Sequence, residues 1–185
     1  TRRGQQVRCM AQLYRICEER GMVMNVRRQA QDATFRGAIV QEPRRGYYSN
    51  IIIYEDFASL YPSIMISYNL CYATYVYPED LAKLEGTVTT VVYPADPMDH
   101  DGFAACNAAV KASALPVVRG FTMDDGRVHH FAQTPNTGVV PELLRRVLAA
   151  RKMAKRAMAA AEDPLARGVL NARQLSLKIC ANSMY

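Results

Sequence analysis

The stretch IIIYEDFASLYPSI, residues 51–64, decides how the rest of this 185-residue chain is interpreted. It opens with β-branched and aromatic residues, which favour a buried strand over residues 51–54. Asp56 arrives where that run ends. Ser59 and Pro62 then predict the start of a helix, because serine is a good N-cap and proline is tolerated in a first helical turn. We therefore expect a carboxylate at the end of a strand, directly before a turn and a helix.

This arrangement brings together two kinds of group that phosphoryl transfer needs. A carboxylate such as Asp56 can hold a divalent cation, and the free backbone N–H groups at a helix start can hold phosphate. An acid for a metal beside amides for phosphate predicts metal-assisted chemistry on a phosphate. The simpler interpretation is a buried strand that ends in a solvated aspartate.

Composition predicts a globular protein without a membrane span. Half of the residues are hydrophobic, and no apolar run reaches the ~18 residues that a membrane helix needs. The first residues lack the apolar core of a signal peptide. Five cysteines without C-x-x-C spacing argue against a disulfide framework or a zinc site and for a reducing, intracellular setting. The chain lacks a starting methionine and ends inside a helical pattern, so we expect an excerpt of a longer protein.

The net charge of +6 conceals three segments of alternating sign. Residues 1–45 carry 10 Lys and Arg against 4 acidic residues, residues 46–137 carry 4 against 10, and residues 138–185 carry 9 against 3. An acidic middle between basic flanks suits a metal site beside phosphate-binding surfaces. Solvated cations on ordinary helices would give the same counts. These segments also define the predicted organisation, in which the middle contains an irregular insertion at 78–116.

The first segment contains a predicted helix and a short predicted strand. The helix covers residues 4–20, and Gly21 is expected to end it. Its apolar stripe is assigned to the core and consists of Val7, Met10, Leu13, Tyr14 and Cys17. The strand covers residues 38–41, and the arginines around it are candidates for phosphate contacts.

The acidic middle contains a predicted helix over 62–70, a strand over 71–77 and a β-hairpin. The hairpin has strands over 117–123 and 127–131, because Asp-Gly between apolar runs marks a tight turn. His129 and His130 point to opposite faces of its second strand, so we interpret both as structural. Prolines and glycines in the insertion predict short elements joined by loops. Its acidic cluster at 96–101 fails the EF-hand template, and we expect a solvated loop.

The last segment is predicted to be a helical hairpin. Pro141 suits a first turn, and Asp163 followed by Pro164 marks the start of the second helix. Two helices with a short connection pack antiparallel, so both could present cations to a shared groove. The alternative is an ordinary helix pair with snorkelling side chains. The candidate residues are Arg151 and Lys155, one turn apart on the first helix, and Lys178, Asn182 and Tyr185, on one face of the second.

Three motifs resemble family B DNA polymerases. DFASLYPSI (56–64) resembles the first palm motif of that family, and KICANSMY (178–185) resembles its Lys-x-x-x-Asn-Ser-x-Tyr-Gly motif without the final glycine. Residues 141–152 resemble the first fingers helix. A further segment around Phe35 resembles the motif that touches the template strand, with phenylalanine where tyrosine is usual. The sequence of residues 35–72 is similar to that of polymerases from large double-stranded DNA viruses, which suggests a viral source.

The resemblance implies an α+β fold, an incomplete polymerase domain in which a palm-type sheet with helices (46–137) carries an antiparallel fingers hairpin (138–185). Residues 1–45 lead into the palm. The implied activity is template-directed DNA synthesis from deoxynucleoside triphosphates (dNTPs) on primer–template DNA, with two Mg²⁺ ions as cofactors. A processivity factor would bind elsewhere on the parent chain, and the location would be a nuclear or cytoplasmic replication site.

The resemblance also implies roles for individual residues. Asp56 and the backbone carbonyl of Phe57 would bind metal, and Tyr61 would pack under the sugar. The groups implied to bind the triphosphate are the amides of Ser59 and Leu60 and the side chains of Arg151, Lys155, Lys178 and Asn182. The residues implied to bind DNA are Phe35, Arg36, Gly37, Ala38 and Tyr185. Two alternatives are a non-catalytic nucleic-acid-binding module that kept the fold and a reverse transcriptase. Asp124 and Asp125 resemble the paired carboxylates of reverse transcriptases. In those enzymes the pair follows the nucleotide-binding helix, whereas here it precedes the last helix, so this alternative is disfavoured.

Overall fold

The structure, a computed structural model, describes residues 4–24, 40, 42–96, 98–123, 126–133 and 137–184. Within these ranges helices and a small sheet alternate, which confirms the predicted α+β class. The elements in chain order are α1 (Gln5–Glu19), α2 (Leu60–Ser67), a 3₁₀ turn (Tyr72–Thr74), β1 (Tyr75–Val76), α3 (Pro78–Lys83), β2 (Thr89–Tyr93), α4 (His100–Ala112), β3 (Val117–Thr122), β4 (Val128–Gln133), α5 (Val139–Ala160) and α6 (Pro164–Asn182). None of the described helices is long and apolar enough to cross a membrane.

Helix α1 confirms the predicted first helix, and Gly21 ends it as expected. Gly21 has a left-handed φ of 63°, and its N–H donates to the carbonyl of Glu18 at 3.0 Å. The predicted apolar stripe is partly wrong, because Val7 and Tyr14 are each 47% exposed. The residues of α1 that are buried are Cys9, Ile16 and Cys17. The helix therefore turns a slightly different face to the core than periodicity alone indicated.

The sheet has the strand order β1-β4-β3-β2. Strands β3 and β4 pair antiparallel, which confirms the predicted hairpin. Gly126 has a φ of 80° at its turn, whereas Asp124 and Asp125 lie outside the described residues. His129 and His130 lie opposite Phe121 and Gly120 in the register, so they occupy opposite faces of the sheet, as predicted.

Residues 78–116 are more regular than the irregular insertion we expected. They contain α3, β2 and α4, which agrees with short elements joined by loops. Strand β2 runs parallel to β3, and α4 packs on β2 as the helix of a β-α-β crossover. Periodicity does not reveal such a unit here because β2 is only five residues long.

The acidic cluster in this region is exposed to solvent, as predicted, but it is only partly a loop. Asp99 caps α4, since its carboxylate accepts a hydrogen bond from the Gly102 N–H at 2.8 Å, and His100 and Asp101 belong to the helix itself. Asp96 accepts from the Met98 N–H at 2.9 Å. The acids therefore satisfy backbone donors at a helix start, a role that this spacing also permits.

One predicted strand is wrong, and another is only partly confirmed. Residues 51–54 form no strand, and the side chains of Ile51, Ile52, Ile53 and Tyr54 are 96%, 71%, 80% and 87% exposed. A strand needs a partner for its backbone groups, and no described strand lies beside this run. Of residues 71–77, only β1 pairs with β4; the preceding residues form the 3₁₀ turn. The helix predicted over 62–70 is α2, which starts and ends earlier.

The core of the helical part lies between α1, α5 and α6, with the end of α2 packed against it. Ile16 of α1 and Leu144 of α5 are 2% and 0% exposed at its centre. Ion pairs close the edge of this core, because Glu142 in the first turn of α5 pairs with both Arg20 and Arg146. These ion pairs connect the start of α5 to the end of α1, where Arg146 also pairs with Glu19.

Candidate functional site

Residues 58–59 form a turn that leads into α2, as predicted, although residues 51–54 form no strand. Asp56 is exposed. Ser59 occupies the N-cap position of α2 as predicted, but it adopts a left-handed conformation (φ 58°, ψ 56°) and its side chain makes no capping bond. Its carbonyl accepts a hydrogen bond from the Ser63 N–H at 2.9 Å. The turn is therefore held by backbone bonds, with the serine in a conformation that non-glycine residues seldom adopt.

The first residues of α2 supply the amides expected to meet phosphate. N–H groups in the first turn of a helix have no acceptor within that helix, and they carry its positive dipole end. Pro62 is buried and anchors this turn. The side chains of Leu60 and Tyr61 are 43% and 48% exposed. Tyr61 is therefore half-exposed at the same turn as these amides.

The donors at this turn fit a hard divalent cation only in part. The Asp56 carboxylate and the backbone carbonyl of Phe57 are oxygen ligands of the kind that Mg²⁺ prefers. In the described part of the chain, however, no three His, Cys, Asp or Glu side chains come together as a metal site. A complete site for two ions would need further oxygen ligands beyond these two.

The second set of candidate residues lies on the α5–α6 hairpin. The sequence signal for α6 is confirmed, because the Asp163 carboxylate accepts from the N–H groups of Leu165 and Ala166 at 3.2 and 3.0 Å. Helices α5 and α6 pack along each other. The Arg151 Nε donates to the Gln174 Oε1 at 3.4 Å. This long contact marks the register of the two helices, which their packing along each other sets.

That register places the cations in a row along the hairpin. Lys155 is one turn beyond Arg151, towards the connection between α5 and α6. Lys178 is one turn beyond Gln174, in the opposite direction along the hairpin. At 1.5 Å per residue, the two lysines are therefore about 12 Å apart along the hairpin axis. Both are exposed, and neither forms an ion pair with another described residue. Exposed cations spaced along one hairpin can bind a polyanion.

The structure brings the turn before α2 and the α5–α6 hairpin into one packed unit, but it does not describe the residues predicted to bind DNA. Met65 and Ile66 of α2 pack against the core that α5 and α6 build, so the turn and the hairpin belong to one packed unit. Asn182 is the last residue of α6 and is exposed. The residues predicted to bind DNA lie outside the described ranges: Phe35, Arg36, Gly37, Ala38 and Tyr185.

Sequence reasoning overlooked two polar residues that organise this region. Gln174 is buried and holds Arg151; its position four residues before Lys178, on the same helix face, was an available signal. Asn69 is buried just after α2. Nothing in the local pattern of Asn69 separates it from an ordinary turn asparagine.

The titratable groups with shifted pKa values lie in the sheet and the helical core. Burial lowers the pKa of His130, and the neighbouring His129 lowers it further. Burial raises the pKa of Tyr93. Burial and the adjacent Cys180 raise the pKa of Cys9 to about 11. These shifts follow from packing and identify no acid or base near the turn at Ser59.

Comparison with known proteins identifies the relatives of this chain. The model of DNA polymerase family B matches residues 1–185. Similar curated proteins include the DNA polymerase delta catalytic subunits of Arabidopsis thaliana, 38% identical over 185 residues, of Oryza sativa subsp. japonica, 40% identical over 186 residues, and of Drosophila melanogaster, 38% identical over 184 residues. Each match covers 99% of this chain and 14% of the relative.

A solved structure gives the same picture. The family B DNA polymerase from the hyperthermophilic archaeon Pyrobaculum calidifontis is 27% identical, with a TM-score of 0.57, over 99% of this chain and 19% of that chain. The chain therefore spans a minor part of the length of every relative given above.

Proposed function

This chain belongs to DNA polymerase family B, and from that membership we propose that it forms part of the palm and fingers of a DNA-directed DNA polymerase. The family predicted from the three motifs is confirmed, and the reverse-transcriptase alternative is dropped. Since the chain spans only 14% of its curated relatives, the activity is assigned to the parent protein. The domain limits at residues 45 and 137 remain predictions.

The proposed reaction adds a deoxynucleoside monophosphate to a primer. The primer 3′-hydroxyl attacks the α-phosphorus of a dNTP, the new phosphodiester bond forms, and pyrophosphate leaves with the bonding electrons of the α–β bridge. In reactions of this kind, catalysis consists mainly of positioning and of electrostatic stabilisation. Primer–template DNA and dNTPs are therefore the proposed partners, and a processivity factor is proposed only for parts of the parent outside this chain.

The proposed metal ligands are Asp56 and the backbone carbonyl of Phe57. Mg²⁺ bound there would neutralise developing charge and lower the pKa of the attacking hydroxyl. The chain's own contribution is one carboxylate in an exposed turn, beside the amides of α2. Further carboxylates from the rest of the parent protein are needed to complete a two-ion site.

The proposed triphosphate site has two halves. The amides of Ser59 and Leu60 would hold phosphate oxygens at the start of α2, while Arg151, Lys155 and Lys178 would bind the β and γ phosphates. Asn182 would assist them, and Tyr61 would pack under the deoxyribose. Each donor placed where charge develops stabilises a transition state by about 2.7–4 kcal/mol in comparable sites.

The match of all 185 residues to the family carries this proposal. It is tested by primer extension with the full-length protein that contains this chain, beside a variant with Asp56→Asn. We expect template-dependent incorporation by the natural protein and its loss in the variant. Tight binding of primer–template DNA without any incorporation by the natural protein would instead support the non-catalytic binding module. The viral source and the intracellular location remain predictions.

A further inference from the structure

Asn69 lies where the end of α2 meets the start of α5, and these two helices carry parts of the proposed triphosphate site. It follows α2 by two residues, is 7% exposed, and adopts a left-handed φ of 51°. Its backbone carbonyl accepts a hydrogen bond from the Thr74 hydroxyl at 2.6 Å. Asparagine often adopts this conformation directly after a helix, and the Leu70 N–H closes the end of α2 by donating to the Met65 carbonyl at 2.9 Å.

The side-chain amide of Asn69 bonds two distant parts of the chain. Its Nδ2 donates to the carbonyl of Ala132 in β4 at 2.9 Å. Its Oδ1 accepts from the N–H of Gly138 at 2.8 Å, and Gly138 is the N-cap residue of α5. Only an amide supplies both a donor and an acceptor in this geometry. Asn69 therefore connects the end of α2 to the sheet and to the start of α5.

The start of α5 is packed closely against the same joint. A Cβ added at Gly138 would lie 2.6 Å from the Cβ of Cys71 and 3.1 Å from the Cγ2 of Thr74. The first of these separations is shorter than any real carbon–carbon contact, so the backbone at residue 138 can approach residue 71 only as glycine. The relative position of α2 and α5 is thus fixed by a hydrogen bond and by steric contact.

We propose that Asn69 is a positioning residue for the incoming nucleotide. By fixing the start of α5 relative to α2, it sets the positions of Arg151 and Lys155 relative to the turn that would hold the same triphosphate. This inference rests on the proposed function. The competing interpretation is that the joint only stabilises the fold.

The length of α5 makes this joint a sensitive point. Arg151 and Lys155 are 13 and 17 residues beyond Gly138, or about 20 and 26 Å at 1.5 Å per residue. A tilt of about 2° at the start of α5 moves Lys155 by about 1 Å over that length. A misplacement of about 1 Å can lower the rate of an enzyme on the order of 10²-fold.

The first test is Gly138→Ala in the full-length protein, which leaves Asn69 intact and displaces the start of α5. We expect kcat/KM for dNTP to fall roughly 10- to 100-fold, mostly through a raised KM, because displaced cations lose contact with the bound triphosphate as well as with the transition state. The Kd for primer–template DNA should stay within about 2-fold, because no DNA contact is altered. Gly168→Ala is the matched control, as its added Cβ meets nothing within 4 Å.

A second-site change separates positioning from stability. Cys71→Gly removes the atom nearest to the added methyl group. The double variant Gly138→Ala with Cys71→Gly should therefore have a KM close to that of the natural protein. Asn69→Asp keeps the acceptor for Gly138 but removes the donor to Ala132. It should raise the KM in the same direction.

Four outcomes decide between the interpretations. A raised KM that the second-site change restores supports positioning. An unchanged KM in folded Gly138→Ala and Asn69→Asp variants overturns it, and so does a parallel loss of kcat and DNA binding. Failure of both variants to fold, measured by circular dichroism, would assign the joint to stability alone. Absence of incorporation by the natural protein would instead refute the proposed function.

Discussion

Replacement of Lys178 tests the proposed nucleotide site most directly. Lys178 is exposed on α6, and it forms no ion pair with any residue whose position is described. Arg151 is a less suitable target, because it also holds the buried Gln174. Alanine is a slightly better helix former than lysine. Lys178→Ala should therefore change the free energy of unfolding by less than about 0.5 kcal/mol.

Because the fold is unaffected, the loss of activity measures the contact with the ligand. A charged donor aimed at developing charge contributes about 2.7–4 kcal/mol, which corresponds to a fall in kcat/KM for dNTP on the order of 10²–10³. The affinity for primer–template DNA should change little, since the proposed partner of Lys178 is the triphosphate.

The assay is primer extension by the full-length protein under single-turnover conditions, together with a DNA-binding titration at fixed salt. Arg173→Ala is a matched control, because Arg173 is an exposed cation of the same helix about 140° away around its axis. A Lys178→Ala protein that extends primers normally but binds DNA poorly would refute the assignment and place Lys178 on the DNA backbone.

Three further predictions follow from the same residues. Tyr61→Val should admit ribonucleotides far better while deoxyribonucleotide incorporation persists, if the half-exposed ring excludes a 2′-hydroxyl; the measurement is the ratio of the two kcat/KM values, and an unchanged ratio in a folded variant contradicts this role. The isolated chain of residues 1–185 should not extend a primer, because a two-metal site needs more carboxylates than Asp56 provides, so template-dependent incorporation by the purified chain would show this to be wrong. Burial first, and His129 second, lower the pKa of His130 below its ordinary value of 6.5. The unfolded chain then binds more protons, so stability should hold above pH 6.5 and decline as the pH falls below it. His130→Gln should flatten that decline, measured by denaturation at about pH 5.5 and 7.5 on either side of the ordinary pKa, and an unchanged decline in a folded variant would contradict this cause.

Local signals predicted the elements whose formation depends on neighbouring residues in the chain. The Asp163-Pro164 pair predicted the start of α6, Gly21 predicted the end of α1, and the glycine at 126 predicted the β3–β4 hairpin. In each case the deciding interaction is a capping bond or a left-handed turn within a few residues. The same applies to the family motifs, since a nine-residue string such as 56–64 is specific without any structure.

Elements and buried faces that depend on distant parts of the chain were predicted poorly. Residues 51–54 have the composition of a strand, but composition supplies no pairing partner. The stripe of α1 was misplaced because Cys9 and Ile16 are buried by α5 and α6, which lie more than a hundred residues away. The parallel pairing of β2 with β3 also depends on a crossover that α4 creates.

The candidate site shows the same division. The sequence determined the family, the helical hairpin, and the spacing of Arg151, Lys155 and Lys178 along their helices, because helical geometry converts spacing into position. Only the tertiary structure decided which residues of α5 face α6, because the two helices pack along each other and bring Arg151 to Gln174. It also decided how the start of α5 meets α2, through the bond from Gly138 to Asn69. These contacts join residues 23 and 69 positions apart, and they form only after the apolar core has brought their helices together, which is why no local pattern encodes them.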